Sequence, residues 1–569
     1  MRARTRPDTM TAPQPEPLIV NRAFHLTTLA TALALAACGG SGDNASPPAE
    51  SPAPSPAPAA FTLTLDTDKA VLLQGGTLML KAHVTRSAGF DGAVQVALSG
   101  LPAGVTAPLV MIAAGATDAD LLLSADAAAP HSLPTGATAT GTSGAASATR
   151  SVTVTVRGVP GQVDGSFAGG GAAVTPVGIG EDYANAVAVQ ADGKLLVAGS
   201  AAMTGGTQFA LVRYGRDGSL DAGFGNAGKV TTAIGGKGND VAAAVAVQTD
   251  GKILVAGSSD QGATGMDFVV VRYNADGSLD AGFGNGGKVT IDFAGETDRA
   301  WALLVQPDGK IVVGGEANLG ASTSGVDFAL ARLNADGSLD AGFGSGGKVT
   351  SALKSRAGTD IVRGLALQAV GGEQRILAVG GEGDFLAARY RADGHADTTW
   401  GTSGQVVGLF GSTIGGARAV TVLPTGEAVI AGHVGHRFAV AQLNAAGQPD
   451  NRFGPANDGR VVLGLVPNWN EATAVARQSD GRLVVGGWAY TGAGSSGDFA
   501  AMRLGADGTL DLGFGTDGVV IAPMATGTKD DQAHGLVLQA DERVPAVRAV
   551  QAGEANGSNH DFAVTRLWL

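Results

Sequence analysis

The segment Ala242–Gly257, AAAVAVQTDGKILVAG, and after a short loop Asp267–Thr290, DFVVVRYNADGSLDAGFGNGGKVT, decide the fold. Two apolar runs, Ala244–Gln248 and Lys252–Gly257, flank Thr-Asp-Gly, a combination that favours a tight hairpin. Asp267–Tyr273 reads as a third strand, and the Asn274-Ala275-Asp276-Gly277 turn leads into a fourth around Leu279–Val289. Strands apolar on both faces belong in sheets covered on both sides.

The unit recurs along the chain. An Asp-x-x-(Phe/Trp) landmark stands at Asp164/Phe167, Asp221/Phe224, Asp280/Phe283, Asp340/Phe343, Asp397/Trp400, Asp450/Phe453 and Asp511/Phe514, at spacings of 57, 59, 60, 57, 53 and 61 residues. The unit resembles the delta-60 repeat of bacterial proteins over essentially all of 163–569. That resemblance implies a β-propeller-like fold and no particular activity. Four short strands per copy predict an all-β chain with a seven-bladed β-propeller of four-stranded blades over 159–569. An orphan fourth strand, Val163–Thr175, precedes the first full copy, and the third strand of the last copy ends at Leu569. Pairing the two would complete a seventh blade and remove two exposed edges, with an open, solenoid-like stack as the alternative. In the last copy the hairpin turn is lost between Asp541 and Gly553.

Upstream, residues 61–158 alternate with period two at Phe61/Leu63/Leu65, Leu78/Leu80/Ala82/Val84, Val94/Val96/Leu98 and Val152/Val154/Val156, which predicts an Ig-like β-sandwich without a disulfide. Leu101-Pro102-Ala103-Gly104-Val105 resembles a segment of bacterial Ig-like domains of surface proteins. Residues 38–60 form a Gly/Ser stretch followed by a Pro/Ala-rich one, a spacer flexible first and semi-extended after. Residues 1–37 read as a signal peptide whose apolar run, Leu26–Ala37, is too short to span a bilayer. Leu35-Ala36-Ala37-Cys38 resembles the bacterial lipoprotein lipobox, which implies cleavage before Cys38 and lipidation of it. Gly39 after the cysteine favours the outer membrane in that class, on the periplasmic or the surface face.

Composition fits this picture. Gly accounts for 89 of 569 residues, charged residues for 16%, and the formal net charge is −13. No basic stripe is present to neutralise phosphates, so no nucleic acid is expected as a partner. The membrane is reached through the lipid anchor only, and the chain is expected to be a monomer.

Comparing the copies with one another separates scaffold from site. Arg213, Arg272, Arg332, Arg389, Arg503 and Arg566 share one position, with Gln442 the departure, and a Phe recurs four residues before it. Asp182, Asp240, Asp298, Asp360 and Asp531 precede inner strands and are the expected partners of these arginines. The Asp-Gly turns carry oxygen-ligand residue types but miss the EF-hand spacing, and turn chemistry accounts for them without metal.

Two positions vary. Five residues before the inner-strand Gln stand Asn185, Ala243, Trp301, Arg363, Arg418, Thr473 and His534. Just after the second strand stand Ser200, Ser258, Glu316, Glu382, His433, Trp488 and Glu554. In an up-and-down blade both lie on one face of the disc. Trp301, Arg363, Arg418, His433, Trp488 and His534 are therefore the candidate ligand-binding residues at its mouth, being the residue types that supply interface energy. No catalytic set, metal set or cofactor motif is legible; Glu316 and Glu382 across adjacent blades are the nearest approach to a two-carboxylate hydrolase or lyase. The expected function is non-catalytic binding of an envelope protein or polysaccharide, with an envelope hydrolase or lyase, or adhesive or structural display, as alternatives. Cys38→Ser is expected to move the protein out of the membrane fraction and remove the acyl mass; unchanged partitioning would rule out this anchor.

Overall fold

The computed structural model describes residues 60–569, apart from 236, 321–324, 354–358, 412–413, 492–496, 525–529, 542–545 and 558. Cys38, the leader and nearly all of the linker lie outside the described residues. The described secondary structure is β throughout. No helix among the described residues is long and apolar enough to cross a membrane.

Residues 61–157 form two facing sheets, one of four strands and one of five. The period-two runs are strands here, including Phe61–Leu65, Thr77–Arg86, Val94–Ser99 and Ala146–Arg157. Their inward residues, Phe61, Leu63, Leu80, Val94, Val96, Val152 and Val154 among them, share one apolar core. The sequence reading missed Lys69–Leu73, which pairs in parallel with the last strand.

The rest of the described chain makes seven four-stranded sheets of one kind. In the second, Asp240–Val247, Ile253–Asp260, Met266–Tyr273 and Lys288–Ile291 run antiparallel in order. The fourth strand is shorter than its pattern implied. Residues 274–287 are turns, in which Leu279 makes a single bridge to Tyr273. The seventh sheet takes three strands from the end of the chain, Asp531–Asp541, Ala546–Asn556 and His560–Trp568, and its fourth, Ala172–Thr175, from before the first copy. That fourth strand starts well inside the expected Val163–Thr175.

Each first strand packs on the first strand of the next sheet, and Asp531–Asp541 packs on Asp182–Val189, so the contacts close a cycle. An apolar cluster fills each junction. The closing one joins Val550, Ala552, Phe562 and Val564 to Leu195, Val197 and Val212.

One polar staple recurs at the junctions. Arg272 Nε donates to Asp280 Oδ2 at 2.7 Å, and the guanidinium lies over the Phe283 ring at 4.5 Å. Its Nη1 reaches across to Ala335 O in the turn of the next sheet, while Gly284 N donates to Asp336 O at 2.8 Å. The arginine partners are therefore the landmark aspartates, in the pairs Arg213–Asp221, Arg332–Asp340, Arg389–Asp397, Arg503–Asp511 and Arg566–Asp164. This corrects the sequence expectation. The inner-strand aspartates instead accept backbone N–H groups from the preceding loop: Asp182 from Val177 and Gly178, Asp240 from Ile234, Asp298 from Phe293, Asp360 from Leu353 and Asp531 from Met524. Where Gln442 replaces arginine, it donates to Asp450 at 3.0 Å and Arg452 supplies the positive charge at 2.7 Å.

The seventh sheet's own turn is supplied by the segment entering the ring. Gly515 N donates to Pro160 O at 3.0 Å, and Gly161 N to Trp568 O at 2.7 Å. Asp164, fully buried, is gripped by Arg566 at 2.7 Å and Arg548 at 2.9 Å, with His131 of the N-terminal sheets at 3.6 Å. Burial alone would raise its carboxyl, but these neighbours hold it well below the usual carboxylate range.

The staple explains the turn glycine. Gly337 has φ +89°, and a Cβ there would lie 2.8 Å from Gly284 N and 3.0 Å from the Phe283 ring. Gly337→Ala is expected to cost about 2 kcal/mol or more in thermal unfolding, from combined strain and clash. Gly286→Ala, at φ +60° with nothing within 4 Å of the new Cβ, should cost less. Equal losses would show that the turn glycines answer only to φ.

Candidate functional site

Every first strand of the seven repeat sheets carries a β-bulge at the same place. The register slips between Ala184 and Ala186, Ala242 and Ala244, Ala300 and Ala302, Val362 and Gly364, Ala417 and Ala419, Ala472 and Ala474, and Ala533 and Gly535. The skipped residues are Asn185, Ala243, Trp301, Arg363, Arg418, Thr473 and His534, the first variable position of the sequence comparison. A bulge leaves its residue out of the ladder and re-aims the side chain. All seven line one cavity of about 340 Å³, joined by Glu471, Trp488 and Gln532.

A glycine fixes the bulge in each copy. Opposite it stand Gly199, Gly257, Gly315, Gly380, Gly432, Gly487 and Gly553, where a Cβ would come within 1.8–2.0 Å of the carbonyl two residues before the bulged one. No other residue fits there.

Five of the six candidates, Trp301, Arg363, Arg418, Trp488 and His534, border the cavity. His433 lies beside it, buried, with Nδ1 3.5 Å from Glu471 Oε1. Of the second variable position, Ser200, Ser258, Glu316, His433, Trp488 and Glu554 lie within the second strands rather than after them, each opposite the residue two before the bulge. Glu382 does not belong to that set. Gly380 is the residue opposite Val362, so the equivalent place is Gly381, whose φ of +97° turns the chain out of the strand.

The sequence reading missed Glu471 and Gln532. They occupy the place two before the bulge, on the same strand face, which also varies between copies: Tyr183, Val241, Arg299, Ile361, Gly416. It missed an aromatic cluster as well. Trp469, 41% exposed, lies 4.3 Å from His436, 6.0 Å from Trp488 and 6.4 Å from Tyr490 between ring centroids, and Trp488 lies 5.1 Å from Tyr490.

The charges are paired, between neighbouring copies in one case and within a copy in the others. Arg418 Nε meets Glu471 Oε1 at 2.6 Å, and His534 Nε2 meets Glu554 Oε2 at 2.9 Å. Burial alone would raise the Glu471 carboxyl, yet the Arg418 charge holds it below the usual range. Burial pushes His433 down, whereas for His534 the attraction of Glu554 outweighs burial and pushes it up. Arg363 lies over Trp301 at 4.1 Å and reaches Glu382 at 3.3 Å; burial and the nearby Arg418 charge push it down to about 10.

Glu316 and Glu382 share a neighbouring recess of about 560 Å³ with Arg299, Trp301 and Arg363. Elsewhere, Asp267, Asp292 and Asp298 offer oxygens within 4.8 Å of one another, a grouping able to hold a cation. Burial, with the neighbouring carboxylates, pushes Asp298 up to about 6, so that this group takes up a proton in mild acid. The Asp276 carboxylate caps its own turn through Ser278 N and Oγ at 2.9 and 2.7 Å.

Residues 190–224, 248–283, 306–343 and 478–514 match the family profile described as a domain of unknown function (DUF5122), beta-propeller. Each matched stretch runs from an inner-strand Gln to a landmark Phe and so holds the arginine, aspartate and aromatic of one staple. The chain is a propeller-like repeat protein. No curated protein matches the sequence. Among solved structures it is similar to a DUF4784 family protein from Bacteroides caccae, at 9% identity over 89% of this chain and 95% of that one, with a TM-score of 0.19. It is also similar to domains 4–9 of surface layer protein SbsC, at 11% identity over 89% and 82%, with a TM-score of 0.14. Scores this low carry no argument about fold or function.

The second copy carries Ala243 at the bulge, so the ring does not need a large side chain there. Thr473→Ala, and His534→Gln, which keeps a donor toward the buried Glu554, are each expected to change unfolding free energy by no more than about 1 kcal/mol. A loss of about 3 kcal/mol or more in chemical denaturation would make these residues part of the scaffold.

Proposed function

We propose that this is a lipid-anchored protein of the bacterial cell envelope, held at the outer membrane through Cys38. Its Ig-like sandwich acts as a spacer, and its delta-60-type repeats form a seven-bladed β-propeller that binds a polysaccharide or protein partner without catalysis. Convergence carries this reading. Seven bulged residues from seven sheets border one cavity, and every one of the large side chains among them is of a type used in recognition. A volume of about 340 Å³ falls in the range of small-ligand pockets, roughly 300–1,000 Å³, and the flanking aromatics extend the surface beyond it. A polysaccharide chain, with one unit in the cavity and its neighbours along the rim, fits this shape better than a folded protein.

A second reading draws on Glu316 and Glu382 sharing a recess. Two carboxylates facing a sugar are the minimum for hydrolysis. Each, however, is engaged by an arginine at 3.3 Å, Glu316 by Arg299 and Glu382 by Arg363.

An array of glycans and envelope proteins probed with the full chain should detect a ligand, and Trp301→Ala with Trp488→Ala should abolish its binding. Because Trp488 is 6% exposed, Trp301→Ala alone, with an unchanged melting temperature and at least tenfold weaker binding, keeps the test independent of folding. Unchanged binding in both variants would sink the site. Shortening of a bound glycan by the parent, lost in Glu316→Gln, would replace this reading with the hydrolytic one.

A further inference from the structure

Three N–H groups of cavity-lining side chains are buried without an acceptor among the described residues: Trp301 Nε1, Arg363 Nε and Arg418 Nη1. They come from the same bulge position of three consecutive repeats. A buried donor left unmatched is costly, and more so when it is charged. The acidic groups nearby are already engaged. Glu471 is taken by Arg418 and faces His433, Glu554 by His534, Glu316 by Arg299 and Glu382 by Arg363. Among the described side chains lining the cavity, the buried polar atoms left without a partner are these three donors. Two guanidinium groups and an indole N–H on neighbouring strands form a set that matches an oxyanion, because arginine offers several N–H groups to such oxygens in fixed geometry.

The overall charge argues for a local site. At −13 the chain repels a polyanion at long range, so an anionic ligand must be held by short-range donors. Next to Trp488 of the cavity lining, Trp469 presents an exposed ring backed by Trp488 and Tyr490, a flat apolar face suited to the C–H face of a sugar.

Resting on the polysaccharide-binding reading above, we propose that the ligand is an acidic polysaccharide. A uronic-acid carboxylate is received by Trp301 Nε1, Arg363 Nε and Arg418 Nη1, and a neighbouring sugar stacks on Trp469. Arg363 is the central residue of the subsite, since it carries charge, an unmatched N–H and the stacking contact with Trp301.

The test is calorimetric titration of the full chain in detergent with a short oligouronide, its carboxyl-reduced neutral counterpart and a phosphorylated oligosaccharide. The oligouronide should bind at least tenfold more tightly than the neutral sugar. Arg363→Gln should weaken the oligouronide by roughly ten- to a hundredfold and the neutral sugar by no more than about threefold, as expected for loss of a charged hydrogen bond. Should Arg363→Gln fail to fold, Trp301→Phe keeps an aromatic ring beneath the arginine while removing the indole N–H, and is expected to cost about three- to tenfold. Equal affinity for acidic and neutral sugars, or no effect of either variant, would overturn the anion subsite while leaving polysaccharide binding in place. Tighter binding of the phosphorylated sugar would overturn the carboxylate assignment. Absence of any sugar binding by the parent would overturn this inference together with the polysaccharide reading.

Discussion

The ring depends on a buried arginine that is never left alone. Six of the seven repeats place a guanidinium between sheets that are otherwise apolar, where an unpaired cation would be strongly destabilising. The landmark aspartate neutralises it, the landmark aromatic receives its flat face, and in five repeats the turn of the next sheet takes a further N–H through a backbone carbonyl. One side chain thus satisfies itself only when two sheets are docked. Side-chain polarity, which usually opposes burial, here specifies how neighbouring repeats meet, while the apolar clusters supply the bulk of the attraction.

A second constraint separates architecture from recognition. The glycine opposite each bulge lets two strand backbones approach more closely than any side chain permits, and the displaced residue is thereby released from the ladder. Because the backbone forces this geometry, the identity of the displaced side chain is free to differ from Ala243 to Trp301 to His534. The glycine excess of the composition follows in part from these two repeated needs, the bulge partner and the positive-φ turn that covers the previous aromatic.

Much of the fold was legible because the staple writes itself into every copy at nearly constant spacing. What misled the reading was local. Two aspartate families recur with almost equal regularity, and the arginine's partner lies eight residues downstream, beyond a turn that folds the chain back on itself. Leu279 continues the apolar alternation past Tyr273 but belongs to that turn, so the fourth strand was read too long. In the fourth copy, Gly381 shifts the alignment by one and brought Glu382 into a set it does not share. The bulges were invisible as bulges, yet their residues stood out by variation. The same comparison applied two residues upstream leads to Glu471 and Gln532. Trp469 stands one residue before Asn470, which takes the place of the inner-strand aspartate in its copy, a position the comparison did not extend to.

The segment that enters the ring from the N-terminal sheets has a mechanical consequence. Tension applied along the chain from that side arrives first at Gly161 and Gln162, bonded to the Trp568 backbone, and then at Asp164, clasped by two arginines. Only beyond these does it reach the four-residue strand Ala172–Thr175 that seals the last sheet. The load is taken by a buried electrostatic knot before it can peel the seam, so the joint that holds the circle shut is shielded from a pull on the segment that leads into it.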